Sequence, residues 1–63
     1  MEYKKDDEIL WRMRDETYPG RLEHGKVLEI RDNVILIESK NDNNLYETGW
    51  YLKDDIVVFD VLK

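Results

Sequence analysis

Apolar side chains recur at every second position along most of this chain, which is the period of a β-strand and not of an α-helix. The pattern is clearest over residues 8–14, where Ile9, Trp11 and Met13 occupy one set of alternate positions. Successive side chains of a strand point to opposite faces, so this segment is predicted to be a strand with Trp11 on its buried face. Similar segments follow to the end of the chain, and the predicted fold class is all-β.

Turn signals divide the chain into five predicted strands. Pro19-Gly20 predicts a long first loop over residues 15–24, and Asp32-Asn33 predicts a type I′ hairpin turn. Residues 40–44 form a third, polar turn, and residues 52–55 suit one short 3₁₀ turn before the last strand. The predicted strands are residues 8–14, 26–31, 34–39, 45–51 and 56–62.

The chain has 63 residues and no cysteine, so its core must consist of aromatic and branched side chains in one domain. We predict a single domain over residues 1–63, with residues 1–5 as a loose N-terminus. An open sheet without a covering helix would leave one apolar face in water. Closure buries that face and removes exposed sheet edges, so the strands are expected to form a small barrel.

Three segments resemble SH3-like barrels. Asp7-Glu8-Ile9-Leu10-Trp11 is similar to their opening strand, and residues 47–58 are similar to their closing Gly-aromatic strand, 3₁₀ turn and last strand. His24-Gly25-Lys26-Val27-Leu28-Glu29-Ile30 resembles the core of the KOW motif. The resemblance covers residues 6–62 and implies a five-stranded SH3-like barrel with a long first loop. Members of this fold bind peptides, protein partners or RNA, so the fold alone does not select a function.

The charge balance favours a protein partner over nucleic acid. Acidic residues outnumber basic ones by 15 to 10, and the net charge is −5. A surface that binds phosphates is usually basic, whereas an acidic surface is attracted to the basic groove of a nucleic-acid-handling protein. Small acidic chains of this type look like accessory or phage-type modulators of such proteins.

The alternative function is a KOW-like RNA-contact module. All four arginines lie within residues 12–31, which is the one sign of a polarised surface. In this reading the cations of the segment face the phosphates while an exposed Tyr or Trp stacks on a base. These cations are Arg12, Arg14, Arg21, Lys26 and Arg31.

Catalytic and metal chemistry are not predicted. Nucleophilic catalysis needs a hydroxyl or thiol beside an oriented base, but the single serine is Ser39 and the single histidine is His24. Neighbouring carboxylates in a strand point to opposite faces and cannot converge on one cation. Asp54 and Asp55 are instead predicted to accept backbone hydrogen bonds in the 3₁₀ turn. We expect a non-enzymatic protein without metal or cofactor, located in the cytoplasm and not in a membrane.

Aromatic and arginine side chains supply the candidate binding surface, because both are enriched at binding hot spots. Trp50 is predicted on an inward face with Leu52, but Trp50 and Tyr51 are adjacent and must point to opposite sides, so either of the two can be the exposed one. Docking on a protein partner is predicted through the first loop and nearby aromatics: Arg14, Tyr18, Arg21, Tyr46, Trp50 and Tyr51. The last strand is apolar on both faces, so either the N-terminal strand or a second copy in a homodimer would cover it.

Overall fold

A computed structural model describes residues 2–15, 22–40 and 43–62 of the chain. They form five antiparallel strands and one 3₁₀ turn, so the all-β prediction and the short turn before the last strand are confirmed. In chain order the elements are β1 (Glu8–Met13), β2 (Glu23–Arg31), β3 (Val34–Lys40), β4 (Tyr46–Leu52), the 3₁₀ turn η1 (Lys53–Asp55) and β5 (Ile56–Leu62).

The strand β2 begins earlier than the sequence pattern indicates. The sequence pattern places residues 23 and 24 in the first loop, but Glu23 pairs with Trp11 and His24 pairs with Leu10. The partner strand β1 therefore extends β2 by backbone pairing, which the polar side chains of this segment do not reveal. As a result β2 is long enough to pair with β1 at its start and with β3 along most of its length.

The sheet has the strand order β4-β3-β2-β1-β5, and its two edges are β4 and β5. No pairing between those two strands closes the sheet within the described residues. The prediction of a closed barrel is therefore not confirmed. One face of the sheet nevertheless carries a shared core, formed by Ile9, Trp11, Val27, Ile35, Ile37 and Ile56.

Two β-bulges keep side chains on the core face of the sheet. The pairing of β2 with β3 shifts at Leu28, and the pairing of β5 with β1 shifts at Phe59. A bulge adds one residue to one strand and so reverses the alternation beyond it. Accordingly Val27 and Ile30 in β2, like Val58 and Val61 in β5, lie three residues apart and still pack on the same core.

The hairpin between β2 and β3 is formed at Asp32-Asn33 as predicted, but the turn is not type I′. Asp32 has a φ of 46°, whereas Asn33 has no positive φ. Type I′ requires positive φ at both central residues. The backbone N–H of Lys53 donates to the carbonyl of Asn33 at 2.8 Å, which ties this turn to η1.

The segment before β1 is docked on the sheet. Sequence analysis predicts a loose stretch over residues 1–5, whereas Tyr3 packs against the core. The N–H of Asp6 donates to the carbonyl of Val27 at 2.7 Å, and the N–H of Val27 donates to the carbonyl of Asp7 at 2.9 Å. Asp6 has a φ of 74°, a left-handed conformation that Asp tolerates better than most residues.

The described residues contain no helix long and apolar enough to cross a membrane.

Candidate interaction surface

The pairing of β3 with β4 decides which aromatic residues are exposed. Tyr51 lies opposite the buried Ile35, and its ring contacts the Trp11 ring with centroids 4.9 Å apart. Trp50 lies opposite Leu36 on the other side of the sheet and is 48% exposed. The prediction of an inward Trp50 and Leu52 is therefore wrong, because both alternate with Tyr51, which packs on the core. The prediction of a buried Trp11 is confirmed.

The outward side chains of β4 form the most aromatic exposed strand surface among the described residues. We call this surface the β4 outer face. Leu52 is 45% exposed and lies next to Trp50 on this face, and Tyr46, at the start of the strand, is 66% exposed. The four residues of the β4 outer face are Tyr46, Thr48, Trp50 and Leu52.

Two cations, one from β2 and one from β3, lie over the rings of this face. The Arg31 guanidinium carbon is 5.7 Å from the Trp50 ring centroid, and the Lys40 ammonium nitrogen is 5.6 Å from that of Tyr46. Both distances are in the range of cation–π attraction. The Nε of Arg31 also donates to Glu29 at 2.8 Å, so the guanidinium is oriented by a carboxylate as well as by the ring.

The structure divides the six residues predicted as a binding surface. Tyr46 and Trp50 share the β4 outer face, while Tyr51 packs on the core. Arg14 lies at η1, where its Nε donates to the Asp54 carbonyl at 2.7 Å. Tyr18 and Arg21 lie outside the described residues.

Sequence reasoning missed Arg31, Lys40 and Leu52 as part of the β4 outer face. The alternation within β4 places Leu52 with Trp50 once the exposed member of the Trp50-Tyr51 pair is known. Arg31 and Lys40 come from other strands, and only the sheet register brings them to the rings.

A groove of about 410 Å³ adjoins the β4 outer face at Tyr46. Its charges alternate: Lys26 is paired in the sheet with Glu8 of β1 and with Glu38 of β3. The Nε2 of His24 is 3.6 Å from a carboxylate oxygen of Glu8. The lining residues are Glu8, His24, Gly25, Lys26, Glu38, Lys40 and Tyr46.

Within the part of the chain that the structure describes, no three His, Asp or Glu side chains group to hold a metal ion. The residue at the start of η1 is Leu52, whose side chain supplies no capping hydrogen bond. The backbone N–H of Ile56 donates to the carbonyl of Lys53 and closes the turn. Acceptance of backbone hydrogen bonds by Asp54 and Asp55 stays a prediction.

The cations of residues 12–31 are spread over the sheet. Arg12 lies over the Phe59 ring of β5 at 5.4 Å, whereas Arg31 lies over Trp50 of β4. These two strands are the opposite edges of the sheet. Lys26 is interleaved with acids between them, so a continuous stripe of positive charge is not formed by these three residues.

Comparison with protein-family models, curated proteins and solved structures finds no match to this chain. The function is therefore argued from the chemistry of the surface itself.

Proposed function

We propose that this protein is a non-enzymatic binding module, with an SH3-like fold, that docks on a protein partner through the β4 outer face. The single observation that carries the proposal is the half-exposed Trp50, which has Leu52 beside it and the Arg31 guanidinium above its ring. The order β4-β3-β2-β1-β5, with a 3₁₀ turn between β4 and β5, is compatible with an SH3-like fold.

The composition of this face favours a protein partner. Trp, Tyr and Arg are the residues most often found at the energetic centre of protein interfaces. Trp50 can bury further apolar area on binding, and Arg31 is already held by Glu29 and by the ring, so it loses little freedom. An oriented Arg beside an apolar surface suits a partner with an apolar anchor bordered by hydrogen-bond acceptors.

The overall charge supports a partner with a basic surface around the contact. The net charge of −5 attracts such a protein over long range and raises its association rate. A nucleic-acid-handling protein has a surface of this kind. An accessory, phage-type modulator of such a protein is the role that fits this charge.

The experiment compares Trp50→Ala with Phe59→Ala. Phe59 is a matched control, because it is 46% exposed and lies under Arg12 at 5.4 Å, but it belongs to the opposite sheet edge. A partner is first identified by affinity capture from host lysate, and binding of the purified pair is then measured by calorimetry. We expect Trp50→Ala to raise the Kd about 30-fold, the equivalent of about 2 kcal/mol at a hot spot, and Phe59→Ala to leave it unchanged.

Equal effects of the two variants would contradict the assignment of the face. A gel-shift assay at low salt tests the RNA alternative with the same proteins. RNA that is retarded by the wild type and released by Trp50→Ala would replace the protein partner with a base-stacking role for this face.

A further inference from the structure

The strand β4 is an edge strand of regular geometry. Its pairing with β3 runs from Tyr46 to Leu52 without a register shift, and its sequence contains no proline. The opposite edge, β5, has a bulge at Phe59 followed by Asp60. Bulges and charges protect sheet edges from pairing with other chains, and a flat edge without them is a template for a further strand. Of the two edges, β4 is therefore the one built to accept a strand.

The backbone groups that β4 presents at this edge follow from its pairing. The N–H of Lys53 donates to the carbonyl of Asn33, in the same register that pairs Tyr51 with Ile35 and Gly49 with Ile37. Hydrogen-bonded pairs alternate along an antiparallel ladder, so these odd-numbered residues of β4 are bonded to β3. The N–H and C=O groups of the intervening residues then point to the free edge; they belong to Tyr46, Thr48, Trp50 and Leu52.

This edge is complementary to itself. When two copies of β4 are placed antiparallel with Gly49 at the two-fold axis, the strands overlap over their whole length. Thr48 then lies opposite Trp50 of the second copy, and Tyr46 lies opposite its Leu52, so each of these four residues has its backbone groups directed at the partner. Glu47 is the one charged residue of β4, and it lies opposite Tyr51 of the second copy and not opposite itself.

We propose that the protein forms a homodimer in which two copies pair along β4 in this register. The two sheets then continue through the edge as one, and the β4 outer faces of both copies lie side by side. The dimer thereby doubles the exposed aromatic surface around Trp50. This inference rests on the sheet edge and does not depend on the proposed docking function. It also differs from the sequence-based expectation, in which a second copy is one of two candidates, beside the N-terminal strand, to cover the last strand.

A disulfide test is specific for the register, because the chain has no cysteine of its own. In the double variant Tyr46→Cys/Leu52→Cys, the thiol at position 46 of one copy lies opposite the thiol at position 52 of the other copy. Their Cα atoms are about 5.5 Å apart, which a disulfide can span. Within one chain the two positions are about 20 Å apart along the strand. Mild oxidation is expected to give a covalent dimer of the double variant and to leave both single variants unlinked.

The native association is measured by light scattering coupled to size-exclusion chromatography, without any partner present. The molar mass of the wild type is expected to be twice the 7.7 kDa of a single chain. Thr48→Pro removes an N–H that faces the free edge, where proline is tolerated, and is expected to be monomeric with an unchanged β circular dichroism spectrum. If Thr48→Pro fails to fold, Thr48→Lys serves instead, because it places like charges on two diagonal positions about 7–8 Å apart across the axis.

Three results would overturn the proposal: a monomeric wild type at about 1 mM, where even millimolar association is visible; a dimer that a folded Thr48 variant leaves intact; or equal crosslinking of the single and double cysteine variants. Loss of partner binding in Trp50→Ala with an intact dimer would separate the two proposals, as would a dimer that binds no partner.

Discussion

At the scale of single residues, the core depends on the absence of a side chain at Gly25. The residue lies on the buried face of β2, directly opposite Ser39 of β3. A Cβ at this position would be 2.7 Å from Cγ2 of Ile37 and 2.9 Å from Nε1 of Trp11. The indole of Trp11 therefore occupies the space above Gly25. Its Nε1 and the Oγ of Ser39 are buried without a hydrogen-bond partner among the described residues.

Gly25→Ala is expected to lower the free energy of unfolding by about 1–3 kcal/mol, because Ile37 and Trp11 are confined in the core and must shift to admit a methyl group. Gly49→Ala is the matched control on β4. Its nearest contact would be the hydroxyl of Tyr51 at 3.2 Å, so the Tyr51 ring would have to shift by only a few tenths of an ångström. Urea unfolding monitored by circular dichroism should show a clearly lower midpoint for Gly25→Ala than for Gly49→Ala. Equal midpoints would show that the packing of the Trp11 indole does not require the absence of a side chain at Gly25.

At the scale of elements, the stretch before β1 acts as part of the sheet. Its turn is closed by the N–H of Asp7, which donates to the carbonyl of Lys4 at 3.1 Å. It is attached to β2 by the two backbone hydrogen bonds between Val27 and residues 6 and 7. Tyr3 adds apolar contact with the core, and burial raises the pKa of its hydroxyl above the ordinary value of 10.0.

The raised pKa of Tyr3 predicts a loss of stability in alkaline solution. The folded state retains the phenolic proton at a pH where the unfolded chain releases it, so unfolding becomes more favourable as the pH rises. The contribution of neutral Tyr3 is complete below pH 10.0 and is lost as the pH rises through the raised pKa. Tyr3→Phe cannot ionise and is expected to lose less stability than the wild type.

The measurement compares urea unfolding of the two proteins about one unit below and one unit above the ordinary tyrosine pKa. A wild type and a Tyr3→Phe variant with the same alkaline loss would show that the hydroxyl is fully hydrated in the folded protein.

At the scale of the whole molecule, the net charge opposes the association of two copies, whereas the free backbone groups of β4 favour it. Each copy has a net charge of −5, so two copies repel one another at long range. The proposed contact along β4 places no like charges opposite each other, and the repulsion therefore comes from the remainder of the molecule. Docking on a basic partner has the reverse dependence, because there the long-range force is attractive.

Raising the salt concentration from about 0.1 M to about 1 M shortens the Debye length from about 10 Å to about 3 Å. The dimer Kd is expected to fall over this range, while the Kd for a basic protein partner is expected to rise. Sedimentation equilibrium measures the first constant and calorimetry the second. A dimer that weakens with salt would mean that ion pairs, and not backbone pairing along β4, hold it together.

The burial of individual residues shows which features of the structure the sequence pattern predicts. The alternation in residues 8–14 predicts the strand, its buried face and Trp11 in the core, all of which the structure contains. The same reasoning fails at Trp50, because the alternation fits equally well whether Trp50 or the adjacent Tyr51 faces the core. It also fails for Arg31 and Lys40, whose contact with the rings depends on strands that are distant in sequence.

The all-β class, the five strands and the short turn before the last one follow from the sequence alone, since the period of apolar residues and the turn residues are local properties. Which face of β4 is exposed, where β2 begins and which strands are edges follow from the folded sheet. Each of these depends on register and on the bulges at Leu28 and Phe59. A shift of one residue exchanges the two faces of a strand, so the register, and not the strand's own sequence alone, decides which of its side chains are buried.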